Sequence, residues 1–235
     1  MTSQARVDRA RRLLAGIEKN HSPAALASSF GAEDMVVLDL IARDGLAIGV
    51  FTIDTGRIPR ETHALIAEVR RRYGVGLTVY SPWPDSVSAY VEEHGVDGFY
   101  ESVEKRKACC AVRKVEPLRR ALAGKRGWIT GLRREQAQSR AELAEVERDE
   151  TSGLWKFNPL ADWAAADVWE YLRANRVPYN ALHDRGYPSI GCEPCTRAVR
   201  PGEQPRAGRW WWEQHGARKE CGLHEIPVRV LETVA

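Results

Sequence analysis

Five cysteines carry the most distinctive chemistry of this 235-residue chain: an adjacent pair, Cys109-Cys110, a Cys192-x-x-Cys195 pair about 80 residues later, and a lone Cys221. Four thiolates can close a tetrahedral zinc site or a [4Fe–4S] cluster. Zinc ligands usually sit in pairs separated by a short spacer, and the side chains of immediate neighbours diverge. A cubane offers four separate iron corners, so Cys109 and Cys110 could each take one. The spacing therefore favours a cluster on Cys109, Cys110, Cys192 and Cys195; zinc, or a set of plain buried thiols, remains the alternative. A thioredoxin-type redox pair is disfavoured, because Gly191-Cys192-Glu193-Pro194-Cys195 follows no N-terminal strand. The fifth thiol lies in Arg218-Lys219-Glu220-Cys221-Gly222-Leu223-His224. Neighbouring cations raise a thiol's thiolate fraction, which makes Cys221 a nucleophile candidate; an incidental C-terminal cysteine is the plain alternative. Lys114, four residues after Cys110, would share its face on a helix and could offset thiolate charge, with Arg113 expected at the surface.

Three further segments suit an anionic ligand. Ser28-Ser29-Phe30-Gly31-Ala32-Glu33-Asp34 follows a strand and opens a helix, where backbone N–H groups and serine hydroxyls can meet an anion. Ile53-Asp54-Thr55-Gly56-Arg57 lies at the end of an apolar strand, the edge at which open α/β sheets bind ligands. Gly131-Leu132-Arg133-Arg134-Glu135-Gln136 follows another strand, and its paired guanidinium groups match phosphate or sulfate. Each has a bland reading as a capped or solvated turn. Three strand ends offering the same chemistry weigh toward one binding edge.

The elements that must position these groups alternate. Helical spacing covers 5–19, strands 24–29 and 46–53 flank a helix over 33–43, and Pro59 opens a helix to about Tyr73. A strand at 76–80, a helix at 86–93, a polar loop at 94–107, a helix from about Cys110 to Ala123 and a strand at 127–131 follow. Residues 142–157 read as a polar excursion with a short strand, and 166–175 as a helix. This order predicts an α/β domain with a mostly parallel sheet flanked by helices, over residues 1–199. A loop and a C-terminal tail, expected to be mobile and catalytic, occupy 200–235, with Gly- and Pro-containing 200–208 as the point of freedom. Trp210-Trp211-Trp212 would anchor the tail's base or pack as ordinary core.

Composition narrows the partners. The chain is 43% hydrophobic and 29% charged, with a net charge of +3 from 35 basic and 32 acidic residues. That balance argues against a nucleic-acid protein with a dominant basic face. No apolar run reaches the ~18 residues of a membrane span. The first twenty residues lack the apolar segment of a secretory signal, and Asp8 and Glu18 weigh against a transit peptide. The expected setting is the reducing cytoplasm, where cysteines serve as ligands or catalysts.

Taken together, Lys107-Ala108-Cys109-Cys110-Ala111-Val112-Arg113-Lys114-Val115-Glu116-Pro117-Leu118, Gly191-Cys192-Glu193-Pro194-Cys195-Thr196-Arg197 and Glu220-Cys221-Gly222-Leu223-His224 resemble the assimilatory adenylyl-sulfate reductases, the cluster-bearing branch of the phosphoadenylyl-sulfate reductase family. The three strand-end loops resemble that family's substrate loops in the same order. The resemblance implies an adenine-nucleotide α-hydrolase-like fold, a [4Fe–4S] cluster on the four paired cysteines, and Cys221 as nucleophile. It implies reduction of adenosine 5′-phosphosulfate to sulfite and AMP through an S-sulfocysteine. Arg133 or Arg134, Lys114, Arg206 and Arg209 would hold the phosphosulfate, and His224, three residues beyond Cys221, would orient it. The chain runs fourteen residues past Cys221 with no fused redox domain, so an external thioredoxin or glutaredoxin is the expected reductant. Relatives that use the 3′-phosphorylated nucleotide commonly lack the four ligands, but some cluster-bearing relatives accept both. That substrate, an ATP-dependent adenylating enzyme of the same fold and a non-catalytic iron–sulfur sensor are the competing readings; a homo-oligomer is left open. ATP pyrophosphatases hold pyrophosphate on a Ser-Gly-Gly loop. Phe30 before Gly31 departs from that pattern and should reshape the loop.

Overall fold

The computed structural model of this chain describes residues 2–213. Its centre is a six-stranded sheet in the order β3-β2-β1-β4-β6-β5. The strands are β1 (Ala24–Ala27), β2 (Gly49–Ile53), β3 (Leu77–Tyr80), β4 (Gly127–Ile129), β5 (Val146–Arg148) and β6 (Trp155–Phe157). All neighbours pair parallel except β5, which runs antiparallel to β6. The expected parallel α/β architecture is the observed one.

Side chains alternate across a strand, and the two faces here bury different layers. Leu26 pairs with Val50 and Ile129, and these pack with Leu14, Met35, Leu65 and Leu172 in the main core. Those residues come from α1 (Ser3–His21), α2 (Ala32–Arg43), α3 (Arg60–Tyr73) and α7 (Ala165–Ala174). Ala25, Phe51 and Trp128 face the other way, against Ala121 and Leu122. The central strands are thus buried on both faces, as a parallel sheet requires.

The chain departs from the sequence-based expectation on that second face. Beyond α4 (Pro84–His94), the stretch expected as polar loop contains a short 3₁₀ turn, Gly98–Tyr100, and a helix, α5 (Val103–Cys110). Ser102 starts α5, its Oγ accepting from the Lys105 N–H at 3.1 Å, a cap that offsets one orphan helix donor. A π-helical turn, Ala111–Val115, then leads into α6 (Glu116–Leu122). The helix expected over 110–123 therefore belongs to a longer helical run that begins at Val103 and carries a widened turn ahead of α6. The 142–157 excursion is a hairpin that extends the sheet, and β2 and β4 are shorter than expected.

Candidate active site

β1 sits between β2 and β4, and the chain leaves it first toward one side of the sheet and later toward the other. Such a reversal opens a crevice at the carboxyl ends of the strands. Here it is a cavity of about 890 Å³, the size of a nucleotide site. Ser28, Ser29 and Gly31 from the β1 end, Thr55 from the β2 end, and Gly131 and Arg133 from the β4 end line it. Phe51, Trp128 and Leu118 give it an apolar floor.

The loops are held by their own acids. Asp34 on the first turn of α2 accepts from the Ser29 N–H at 2.7 Å, the Ser29 hydroxyl at 2.8 Å and the Gly31 N–H at 3.4 Å. Burial pushes its carboxyl up to about 6, although the Ser29 donors pull the other way. Glu33 takes the Arg133 guanidinium at 2.8–2.9 Å, tying the β1 loop to the β4 loop. Arg133 also meets Glu135 at 3.0 Å and the Trp163 carbonyl at 3.1 Å. Gly131 permits this closeness, since a Cβ there would strike Asp34.

Five sequence candidates lie outside this wall, each for a visible reason. Phe30 is fully buried in the main core; its φ of 61° keeps the backbone glycine-like while sending the ring away from the cavity. Asp54 accepts from the Gly56 N–H at 2.9 Å and pairs with His63 at 2.8 Å, so it shapes its own turn, with Gly56 at φ 70°. Arg57 turns to the Val96 carbonyl at 2.6 Å and the Phe99 ring at 4.9 Å. Arg134 pairs with Asp162 and donates to the Leu143 carbonyl at 2.7 Å. The paired arginines therefore diverge, and of the two Arg133 reaches the wall.

A second, much smaller cavity brings all four paired cysteines together, with Arg57, Phe99, Arg106, Arg113, Lys114 and Pro194. Cys109 and Cys110 end α5, while Cys192 precedes and Cys195 ends a 3₁₀ turn, Glu193–Cys195. Arg113, four residues after Cys109 and hydrogen-bonded to its thiol, is buried rather than at the surface. Its Nη1 donates to the Thr55 carbonyl at 2.8 Å. Burial pushes the Cys195 thiol up to about 12, and raises Cys109 too. Burial also opposes ionisation of Cys192, yet Lys114, the Thr55 hydroxyl at 3.2 Å, Arg209 and Arg113 together bring it below the ordinary thiol value. Among the described residues no three or more His, Cys, Asp or Glu side chains surround a single-ion site. Four thiols lining one pocket make a donor set that a polynuclear cluster, which spreads its ligands over several irons, can accept. The residues present fit that group.

Residues 23–198 match the phosphoadenosine phosphosulfate reductase domain. The chain belongs to this family. It is 57% identical over 220 residues to an adenosine 5′-phosphosulfate reductase of Burkholderia cepacia, covering 94% of this chain and 88% of that one. It is 55% identical over 212 residues to the enzyme of the same name from Allochromatium vinosum, covering 90% and 82%. Among solved structures, a phosphoadenylyl-sulfate reductase from Candida auris, in a phosphate complex, aligns with a TM-score of 0.69 at 30% identity over 81% of this chain and 90% of that one. The expected fold and enzyme class, an oxidoreductase acting on sulfur, stand on these likenesses. No helix among the described residues is long and apolar enough to cross a membrane.

Within this reductase-family site, the segment after Cys195 closes the cavity. Arg206 and Arg209 line it. Arg209 is buried, donates to the Ile190 carbonyl at 3.2 Å and lies 4.7 Å from the Trp210 ring. The 200–208 loop, expected to give the tail its freedom, carries internal ties. Arg197 and Glu203 pair at 2.7 and 2.9 Å, the Arg197 N–H reaches the Gly208 carbonyl at 3.0 Å, and Thr196 bridges to Arg209. Cys221 and His224 lie outside the described residues.

Among the wall residues that escaped the sequence reading are an arginine and a histidine. Arg140, buried, lines the cavity and donates to Gln136 at 2.6 Å. His183 also lines it; burial holds its imidazole below the ordinary value, and its Nδ1–H donates to the Tyr187 carbonyl at 2.8 Å. The arginine-rich loop pointed to the neighbourhood of Arg140, but only the 3₁₀ turns at 134–140 bring it inward.

Proposed function

We propose that this chain reduces adenosine 5′-phosphosulfate to sulfite and AMP, using Cys221 as nucleophile and an external thioredoxin or glutaredoxin as reductant. The observation that carries this reading is Lys114, which lines both the nucleotide-sized cavity and the four-thiol pocket. One ammonium group thereby borders both the place where an anion would bind and the sulfur centre. The names of the curated relatives support adenosine 5′-phosphosulfate as substrate.

The Ser28–Gly31 loop, Thr55 and Gly131 hold the nucleoside and its phosphate above the floor of Phe51 and Trp128. Lys114, Arg140, Arg206 and Arg209 face the phosphosulfate. The Cys221 thiolate attacks the sulfate sulfur in line, the S–O bond to phosphate breaks with its electron pair leaving on AMP, and S-sulfocysteine remains. His224 orients the sulfonate. A thioredoxin thiolate then attacks Cys221 Sγ, sulfite departs with the electron pair of the S–S bond, and the second thioredoxin thiol releases Cys221 while forming the thioredoxin disulfide. Two electrons thus pass from the dithiol to sulfur. The cations spread the charge of two anions meeting, where fixed electrostatics contribute most. A [4Fe–4S] group on Cys109, Cys110, Cys192 and Cys195 would supply a fixed anionic centre that orders this wall and sets its field. We place the activity in a reducing compartment, as its thiols require.

The test is sulfite release from adenosine 5′-phosphosulfate plus reduced thioredoxin, with kcat/KM measured beside that of the 3′-phosphorylated nucleotide. Cys221→Ser should bind AMP but form no sulfonate adduct by intact mass. An adduct on that variant would overturn the assignment, and a higher kcat/KM for the 3′-phosphorylated substrate would overturn the choice of nucleotide.

A further inference from the structure

Arg106 is buried on α5, three and four residues ahead of Cys109 and Cys110, and so on their side of the helix. It hydrogen-bonds to Cys110. Its guanidinium also takes both carboxylate oxygens of buried Glu213, at 2.7 and 3.2 Å, and lies 4.6 Å from the centre of the Trp210 ring. The Trp210 N–H donates to the Cys195 carbonyl at 3.1 Å, and the Glu213 N–H to the Trp210 carbonyl at 3.0 Å. One arginine thus joins a ligand of the α5 pair to a segment pinned on the second pair.

A buried ion pair is weak evidence for stability, since desolvating two charges offsets most of their attraction. Its best-attested use is to fix register, and here the register matters. Glu213 stands eight residues before Cys221. A slip of one residue moves an extended chain by about 3.4 Å. That is the whole distance across which a nucleophile meets its target, about 3–3.5 Å.

We propose that Arg106 and Glu213 are positioning residues that fix, against the four-thiol pocket, where the chain departs toward Cys221. The proposal rests on Cys221 being the nucleophile. Neither residue touches substrate; both act by setting the reach of the chain that carries the thiol.

The test uses the cluster-loaded enzyme. The double variant Arg106→Met/Glu213→Leu removes both charges and leaves no unpaired ion. We expect its visible absorbance, its melting temperature and its affinity for AMP, within about twofold, to match wild type. Formation of the Cys221 sulfonate at saturating adenosine 5′-phosphosulfate, followed by quenching and intact mass, should slow by tenfold to a hundredfold, the cost of a displacement of about 1 Å. Arg106→Lys, which keeps the charge but loses the fork, serves if the double variant does not fold, with the same slowing expected. Adduct formation at the wild-type rate overturns the proposal. So does a parallel loss of AMP affinity, which would make the pair a general support of the fold. If wild-type enzyme forms no adduct, the proposed function itself fails; if wild type forms it and the variants match, only the positioning role fails.

Discussion

The two chemical regions of this molecule use arginine differently. At the strand-end loops, Arg133 is neutralised by Glu33 and Glu135, and Arg134 by Asp162. Around the thiols, Arg106 keeps a carboxylate partner in Glu213, but Arg113 and Arg209 donate to uncharged carbonyls of Thr55 and Ile190. Against the cost of burial, and with Lys114 as the largest favourable contributor, their charge favours the Cys192 thiolate. The first arrangement uses ion pairs to shape a cavity. The second leaves two of its arginines on neutral partners, so that their positive charge bears on sulfur. An Arg-Arg pair in a sequence thus says little about where charge is delivered until the carboxylates around it are placed.

The sharpest way to break this contrast is Cys195→Ser, since Cys195 lines the thiol pocket and not the nucleotide-sized cavity. It should abolish the visible absorbance of the loaded protein and lower its melting temperature by about 10 °C, several kcal/mol for a domain of this size. AMP affinity, measured by calorimetry, should change less than about threefold, because the strand-end loops carry their own braces. A comparable loss of both properties would make the two regions one.

Arg133→Ala should come next. It leaves Glu33 largely buried without its partner, at a cost of about 3 kcal/mol in urea unfolding. The control is Arg134→Ala, whose pair with Asp162 is well exposed and contributes at most about 1 kcal/mol. If the two variants cost the same, the loops are not braced as described.

The smallest effect is in pH dependence. Asp34 holds its proton up to about pH 6 in the fold, against an ordinary value of 3.8. The folded state therefore binds this proton more tightly than the unfolded chain does. Its stabilisation is full below about pH 4 and declines as pH rises through 6. Asp34→Asn keeps an acceptor for Ser29 and removes the titration. The melting temperature of wild type relative to this variant should fall between pH 4 and pH 7, and a flat difference would place the carboxyl back in water.

Much of the sheet was legible because its strands are short apolar runs ending in turn residues, and the parallel order followed from strand and helix alternating. The four cysteines were legible as a set because thiolates at that spacing have few uses. What lay hidden depended on partners distant in sequence. Nothing near Arg57 announces Phe99 or the Val96 carbonyl, and nothing near Arg106 announces Glu213. Arg113 was misplaced for a different reason. The expectation took Lys114 as the partner of Cys110, but Arg113 stands four residues after Cys109 and reaches that thiol from the same side of the helix. Phe30 broke a glycine pattern in composition while its backbone kept the glycine-like conformation.

The wide turn at Ala111–Val115 has a consequence for how the protein can change. A π turn is the imprint of one extra residue in an α-helix, and it lets the helical phases before and after it be set separately. The face of α5 that presents the cysteines and the face of α6 that packs Leu122 beneath the sheet need not share one clock. Deleting a single residue between Ala111 and Val115 would close the wide turn to a regular α-helical one and leave the two faces nearly where they are, since the wide turn covers with one extra residue about the same rotation as an α-helical turn. The turn is thus the place in this helical run where a change of length by one residue is absorbed with least disturbance.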